Sequence, residues 1–185
     1  MYTLTRHTAE IPVEEYLENY VDIPTFIKAC KACPNYEHSW SCPPYDFDVI
    51  AYWKQFKTLK LFAHELTPEP SYLERSYTQE ELKDVIGQIL SEAPRTLGAE
   101  IFSMEKDYPG SVSLSPGGSC SKCKGQCSRL EGKPCRFPDT LRHSLESLGG
   151  NVGLTVEKLM GLKMEWIKDG HLPSHFILVS GLLLP

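Results

Sequence analysis

Residues 117–138 read GGSCSKCKGQCSRLEGKPCRFP and hold four of the seven cysteines of this 185-residue chain. Cys120, Cys123 and Cys127 are spaced CxxCxxxC, and Cys135 follows after seven further residues. Thiols this close together in sequence are typical of metal-ligand loops. The sequence therefore predicts a site in which four thiolates surround a metal ion or a metal cluster.

Two kinds of metal suit these four thiolates. Three closely spaced thiolates and a nearby fourth can hold a [4Fe–4S] cluster, as the short cysteine runs of bacterial ferredoxins do. Four thiolates can also form a closed tetrahedral zinc site, but structural zinc sites usually pair two CxxC units a dozen or more residues apart. This loop has one CxxC unit, which favours iron-sulfur binding and leaves zinc as the alternative.

The same segment is basic in an acidic protein. It carries five basic residues and one acid, Glu131, whereas the whole chain has a formal net charge of −5. Positive neighbours lower the pKa of thiols and offset thiolate charge, and glycines let backbone amides approach sulfur. The alternative is a surface for an acidic partner, although the net charge argues against bulk nucleic-acid binding. The residues concerned are Lys122, Lys124, Arg129, Lys133 and Arg136, with Gly117, Gly118 and Gly125.

The other three cysteines form a second group in residues 30–44, CKACPNYEHSWSCPP. Cys30, Cys33 and Cys42 are one thiolate short of a closed site. An open position would expose iron to a ligand or substrate, or let zinc activate water. His38 is a candidate fourth ligand, but a lone histidine is more often a surface residue. A thioredoxin-like dithiol is disfavoured because the CxxC unit is expected to end a helix.

Composition predicts one soluble domain over residues 1–185, with the two cysteine loops at 30–44 and 117–138. The N-terminus lacks a secretory signal, and the longest apolar run, residues 176–184, is shorter than the about 20 residues that span a bilayer. We therefore expect a cytoplasmic protein without a membrane partner, in which thiols stay reduced and bind metal rather than pair. The oligomeric state is not indicated.

Hydrophobic periodicity predicts a mixed α/β fold, with a small mixed sheet flanked by helices. Thr78 and Glu81 predict a capping box at the start of a helix over residues 78–92. Other helices are expected after Pro12, from Pro24 to the first cysteines, after Asp46 or Asp48, and over residues 138–148 with Gly149 beyond the end. The expected strands are residues 58–66, 111–114 and 176–184.

These motifs resemble the prokaryotic family of predicted metal-binding proteins called domain of unknown function 2284. The likeness covers residues 30–152 and rests on CxxCP, CPP, GxCxxCxxxC, CRxP and SxExxG. It implies metal or iron-sulfur binding in a cytoplasmic protein, with no settled reaction. The matching positions are the seven cysteines, with Arg136, Pro138, Ser144, Glu146 and Gly149 as accompanying residues.

Three functions remain open on the sequence. The first is a redox or electron-transfer protein with one or two [4Fe–4S] clusters, acting with a redox partner protein or a small-molecule ligand. The second is a zinc-stabilised module that binds a protein or nucleic acid. The third is an enzyme using the open site, with Tyr36, Glu37 or His38 assisting proton transfer. No nucleophile elbow, phosphate loop or dinucleotide motif identifies a particular reaction.

Overall fold

A four-stranded antiparallel sheet organises the computed structural model, which describes residues 2–118, 120–123 and 126–185. The strand order is β1-β2-β4-β3. The predicted mixed α/β class is confirmed, and the described strands are paired antiparallel throughout rather than in a mixed sheet. The strands are β1 (Tyr2–Pro12), β2 (Thr58–Pro68), β3 (Val112–Leu114) and β4 (Phe176–Leu184).

Helices connect and cover these strands. Their starts follow the sequence signals: Thr78 and Glu81 form the predicted capping box, and Asp48 accepts a hydrogen bond from the backbone of Ala51 at 2.6 Å. No helix in the described part of the chain is long and apolar enough to cross a membrane. The helices are α1 (Val13–Tyr20), α2 (Ile23–Lys31), α3 (Val49–Trp53), α4 (Pro70–Leu73), α5 (Gln79–Leu90), α6 (Ala93–Met104) and α7 (Val152–Met160).

The central strands β2 and β4 are covered on both faces of the sheet. Successive side chains of β4 alternate: Ile177 and Val179 join the core under α1, α3 and α7, whereas Phe176 and Leu178 join the core under α5 and α6. This is the two-residue period of a strand between two layers. The first core contains the fully buried rings of Tyr16 and Trp53.

Four elements were not predicted from the sequence, among them the four-residue helix α4. Strand β1 is an edge strand whose side chains are mostly exposed, so its polar, threonine-rich sequence carries little hydrophobic signal. Helices α6 and α7 were also not predicted. Their apolar residues pack on the sheet core, but neither helix begins with a capping box like that of α5.

The predicted helix over residues 138–148 is wrong. Only two short 3₁₀ turns form there, Pro138–Thr140 and Glu146–Leu148. Between them the chain runs beside β3, where the backbone N–H of Ser115 donates to the carbonyl of His143 at 2.8 Å. Tertiary hydrogen bonds thus replace the internal ladder of a helix.

Helix α2 is docked on the turn after residue 146. The Asp22 N–H donates to the Gly149 carbonyl at 2.9 Å, and the Asn151 N–H donates to the Tyr20 carbonyl at 2.7 Å. Gly149 has a φ of +85°, and a Cβ atom there would lie 2.6 Å from Cγ1 of Ile23. A glycine is therefore required for this contact, which places the start of α2 beside the turn Glu146–Leu148.

We predict that Gly149→Ala destabilises the protein more than Gly161→Ala. Gly161 ends α7 with a φ of +67°, and an added Cβ would meet nothing within 4 Å. Alanine there should cost only the left-handed backbone strain, about 1 kcal/mol. At Gly149 the clash with Ile23 should raise the loss to about 2–4 kcal/mol. Urea unfolding of both variants measures the difference, and equal losses would show that the α2 contact is not tight.

Candidate metal centre

The three cysteines of the first group line one cavity. Cys30 lies in the last turn of α2, and two tight turns follow it: the Cys33 N–H donates to the Cys30 carbonyl at 3.0 Å, and the Cys42 N–H donates to the Ser39 carbonyl at 3.0 Å. The three side chains line a cavity of about 580 Å³ together with Glu146. The loop thus folds back so that Cys42 faces the end of α2.

The four cysteines of the second group lie on the loop after β3. The charges of Cys123, Cys127 and Cys135 all act on Cys120. The backbone N–H of Phe137 donates to Sγ of Cys135 at 3.4 Å, the kind of contact that supports thiolate ligands in metal sites. All seven cysteines are free thiols in this structure.

Arg129 joins the two loops. Its Nη1 donates to the carbonyls of Ser39 at 2.8 Å and Cys42 at 2.6 Å, and its Nη2 donates to the carbonyl of Pro44 at 2.6 Å. The guanidinium carbon also lies 4.9 Å from the centroid of the Trp40 ring. One side chain of the second loop therefore holds three carbonyls of the first.

Trp40 makes the reciprocal contact. Its Nε1 donates to the carbonyl of Lys133 at 3.0 Å. The second loop is itself closed by Ser128, whose hydroxyl donates to the carbonyl of Pro134 at 2.8 Å. Together with Arg129, these bonds place the two cysteine loops side by side.

The first loop is also anchored to the core through His143. This buried histidine donates from Nδ1 to the carbonyl of Ser41 at 3.1 Å, and its ring packs edge-on against Tyr45 at 4.7 Å. Burial lowers the pKa of His143, which favours the neutral ring. Tyr45 and Phe47 stack on each other and pack on the core, as expected for the aromatic residues of this loop.

Burial changes the expected acidity of the thiols. The pKa values of Cys30, Cys42 and Cys120 are raised, chiefly by burial and further by neighbouring thiolates. The charge of Arg129 lowers the pKa of Cys42, but by less than burial raises it. The prediction that the thiols of the basic second loop have lowered pKa values is wrong for Cys120, where burial outweighs its neighbours, and the net pKa is raised for all three thiols. A bound metal would have to displace their protons.

Most basic residues of the second loop have partners within the protein. Lys133 and Arg136 both pair with Glu131, and Lys122 lies 4.9 Å from the centroid of the Phe102 ring. Arg129 is hydrogen-bonded to the three carbonyls of the first loop. Lys124 and Gly125 lie outside the described residues.

The two cysteine groups are close to each other. Cys42 and Cys120 line a second cavity of about 460 Å³, and the charge of Cys120 raises the pKa of Cys42. Gly117, Gly118 and Ser144 border both cavities. The sequence could not show how the two groups lie relative to each other. In the structure they lie on adjoining cavities that share residues of their lining.

The donor set fits a thiophilic metal or an iron-sulfur cluster. Unpaired thiols, a backbone amide on sulfur and a buried carboxyl oxygen without a hydrogen-bond partner, Oε2 of Glu146, all lie at these loops. In the part of the chain that the structure describes, however, no three His, Cys, Asp or Glu side chains are arranged to hold a metal ion. The residues that would hold the metal are Cys30, Cys33 and Cys42 in one group and Cys120, Cys123, Cys127 and Cys135 in the other.

Two residues of the site were not recognised from the sequence. Arg129 was read only as one of five positive charges, and no sequence signal distinguishes it from Lys133 or Arg136. Glu146 was named only as part of the SxExxG motif. His38, the candidate fourth ligand, is exposed and does not line the cavity of the three cysteines.

The fold and the site define a mixed α/β protein with two adjoining groups of unpaired cysteines. The chain belongs to the family of predicted metal-binding proteins, domain of unknown function 2284, whose model matches residues 17–184. No curated protein and no solved structure matches it. Metal binding is thus the property predicted for its family.

We predict that Arg129→Lys loosens the contact between the loops. A lysine has one nitrogen and cannot reach three carbonyls, so we expect a loss of about 2 kcal/mol in the free energy of unfolding. Amide hydrogens of residues 39–45 should exchange faster. Arg6→Lys is the matched control, because Arg6 makes one exposed bond to Glu100 and should change stability by no more than about 0.5 kcal/mol. Equal effects of the two variants would contradict a joining role for Arg129.

Proposed function

We propose that this protein is an iron-sulfur redox protein that carries electrons between two neighbouring clusters. The four thiols Cys120, Cys123, Cys127 and Cys135 would hold a closed [4Fe–4S] cluster. Cys30, Cys33 and Cys42 would hold a second cluster with one iron open to another ligand. A redox partner protein or a small-molecule ligand would exchange electrons with this pair.

The observation that supports this proposal is the contact between the two cysteine loops. Arg129 holds the backbone of Ser39, Cys42 and Pro44, and Cys42 shares a cavity wall with Cys120. Electron transfer between two clusters needs the two centres close together, whereas two structural zinc sites have no such need. The arrangement of the loops therefore favours a pair of redox centres.

The two groups suit different tasks. The second loop closes on itself through Ser128 and Arg136, whose Nη1 donates to the carbonyl of Gln126 at 3.1 Å. The three-cysteine group instead borders the cavity of about 580 Å³, which gives a small ligand room beside Cys42. The first arrangement suits a cluster that only passes electrons, and the second suits a cluster that meets a ligand.

A zinc-stabilised binding module is the second candidate. The basic second loop is the feature that supports this candidate. Arg129, Lys133 and Arg136, however, already bond to carbonyl or carboxylate oxygens of the protein itself. Such residues are poorly placed to release counterions from a nucleic acid. The internal pairing thus favours the redox proposal, with a protein or small-molecule partner rather than a nucleic acid.

Oxygen-free purification of the full chain tests the metal. We expect a brown protein with about eight iron and eight sulfide atoms per chain, as for two [4Fe–4S] clusters. Its visible absorption should bleach with dithionite. A colourless protein containing stoichiometric zinc would reject the redox proposal and leave the binding module.

We further predict that Cys123→Ser and Cys42→Ser each remove one cluster, lowering the iron content to about four atoms per chain. Because the clusters adjoin, the electron paramagnetic resonance spectrum of the reduced wild type should show coupling that either variant abolishes. Cys123→Ser should also lower thermal stability more, since a closed site contributes more to folding. Uncoupled spectra in an iron-loaded wild type would contradict electron transfer between the two groups.

A further inference from the structure

We propose that Glu146 is the fourth, exchangeable ligand of the iron-sulfur cluster at Cys30, Cys33 and Cys42. This inference rests on the proposed function and gives the open position of that site a protein donor. It replaces His38, which the sequence suggested for the same role.

Glu146 borders the same cavity as the three cysteines. It lines the cavity of about 580 Å³ with Cys30, Cys33 and Cys42, and its charge acts on the thiol of Cys30. Among all the acidic residues that the structure describes, it is the one that lines this cavity. A carboxyl group is therefore available where the three thiols leave a fourth position, and because burial raises the pKa of Glu146, a bound metal would displace its proton as it does those of the thiols.

The carboxyl group of Glu146 has an oxygen without a partner. Its Oε2 is buried and accepts no hydrogen bond from any residue in the described ranges. A buried oxygen without a hydrogen-bond partner destabilises the folded protein by about 1–3 kcal/mol unless another group binds it. A metal ion is a fitting partner, because a carboxylate oxygen is an ordinary ligand of iron.

The position of this carboxyl group is well defined. A Cβ atom on Gly117 would lie 2.9 Å from its Oε1, so glycine leaves the space that the carboxyl group occupies. Its backbone lies in the turn Glu146–Leu148, on which α2 docks through Asp22 and Gly149. Asp22 lies at the start of α2 and Cys30 in its last turn, so the same helix links this docking contact to the thiol.

A carboxylate differs from a fourth thiolate in how firmly it binds. Oxygen is a harder donor than sulfur and suits thiophilic iron less well. A ligand with a nitrogen or oxygen donor could therefore displace Glu146 from the cavity side. Three thiolates would keep the rest of the cluster in place during that exchange.

The test compares the loss of one iron in variants of the oxygen-free full chain. Glu146→Gln keeps the size of the side chain but removes the charged donor, so mild oxidation by ferricyanide should convert the cluster to a [3Fe–4S] form at least roughly tenfold faster. Glu146→Cys should slow the conversion below that of the wild type, because a thiolate replaces the carboxylate. Glu157→Gln, on an exposed residue of α7, is the control and should match the wild type.

Mössbauer spectra give a second measurement that a merely structural role would not change. The wild type should contain one iron with an oxygen donor, and Glu146→Cys should convert it to the sulfur-ligated type. Retention of the Cys120–Cys135 cluster shows that each variant is folded. An iron-loaded wild type whose conversion rate and spectra match those of Glu146→Gln would overturn this inference while the redox proposal stands. A wild type without iron would overturn both.

Discussion

The bonds from Arg129 to three carbonyls are the constraint on which the candidate site depends. Residues 32–48 contain no helix or strand, and Pro34, Pro43 and Pro44 have no N–H to donate, so the loop cannot satisfy its own carbonyls through a regular ladder. A guanidinium has five donors in a fixed plane and can hold several carbonyls at once. Without Arg129 the first loop would keep the bond from Trp40 to Lys133 but lose three of its contacts with the second loop.

A second ionic contact holds the segment that follows the last cysteine. Arg142 donates from Nε and Nη2 to the two oxygens of Glu105 at 2.7 and 2.6 Å, and both side chains are 16% exposed. Glu105 also accepts the backbone N–H of Ser113 at 2.7 Å. The pair thus connects the end of α6, strand β3 and the segment that leads to His143 and Glu146. Because each charge has a bidentate or hydrogen-bonded partner, the pair can stay partly buried.

The two cysteine groups are attached to different parts of the fold. The first group begins in the last turn of α2, which docks through Asp22 and Ile23 on the turn that precedes α7. The second group is attached to β3, which has only three residues. Contact between the groups therefore depends on side chains rather than on the sheet. Arg129 and Trp40 therefore hold the two loops together, although both side chains are only partly buried.

Local sequence determined much of this protein. The capping box at Thr78, the cap at Asp48, the boundaries of β4 and the grouping of the cysteines all depend on near neighbours in the chain, which a sequence displays directly. Only the tertiary structure decided that β1 forms an edge strand, that residues 138–148 form turns instead of a helix, and that Arg129 and Glu146 meet the first cysteine loop. Each of these depends on partners far along the chain, and the polar side chains involved could have faced solvent equally well until the packed sheet and helices brought those partners together.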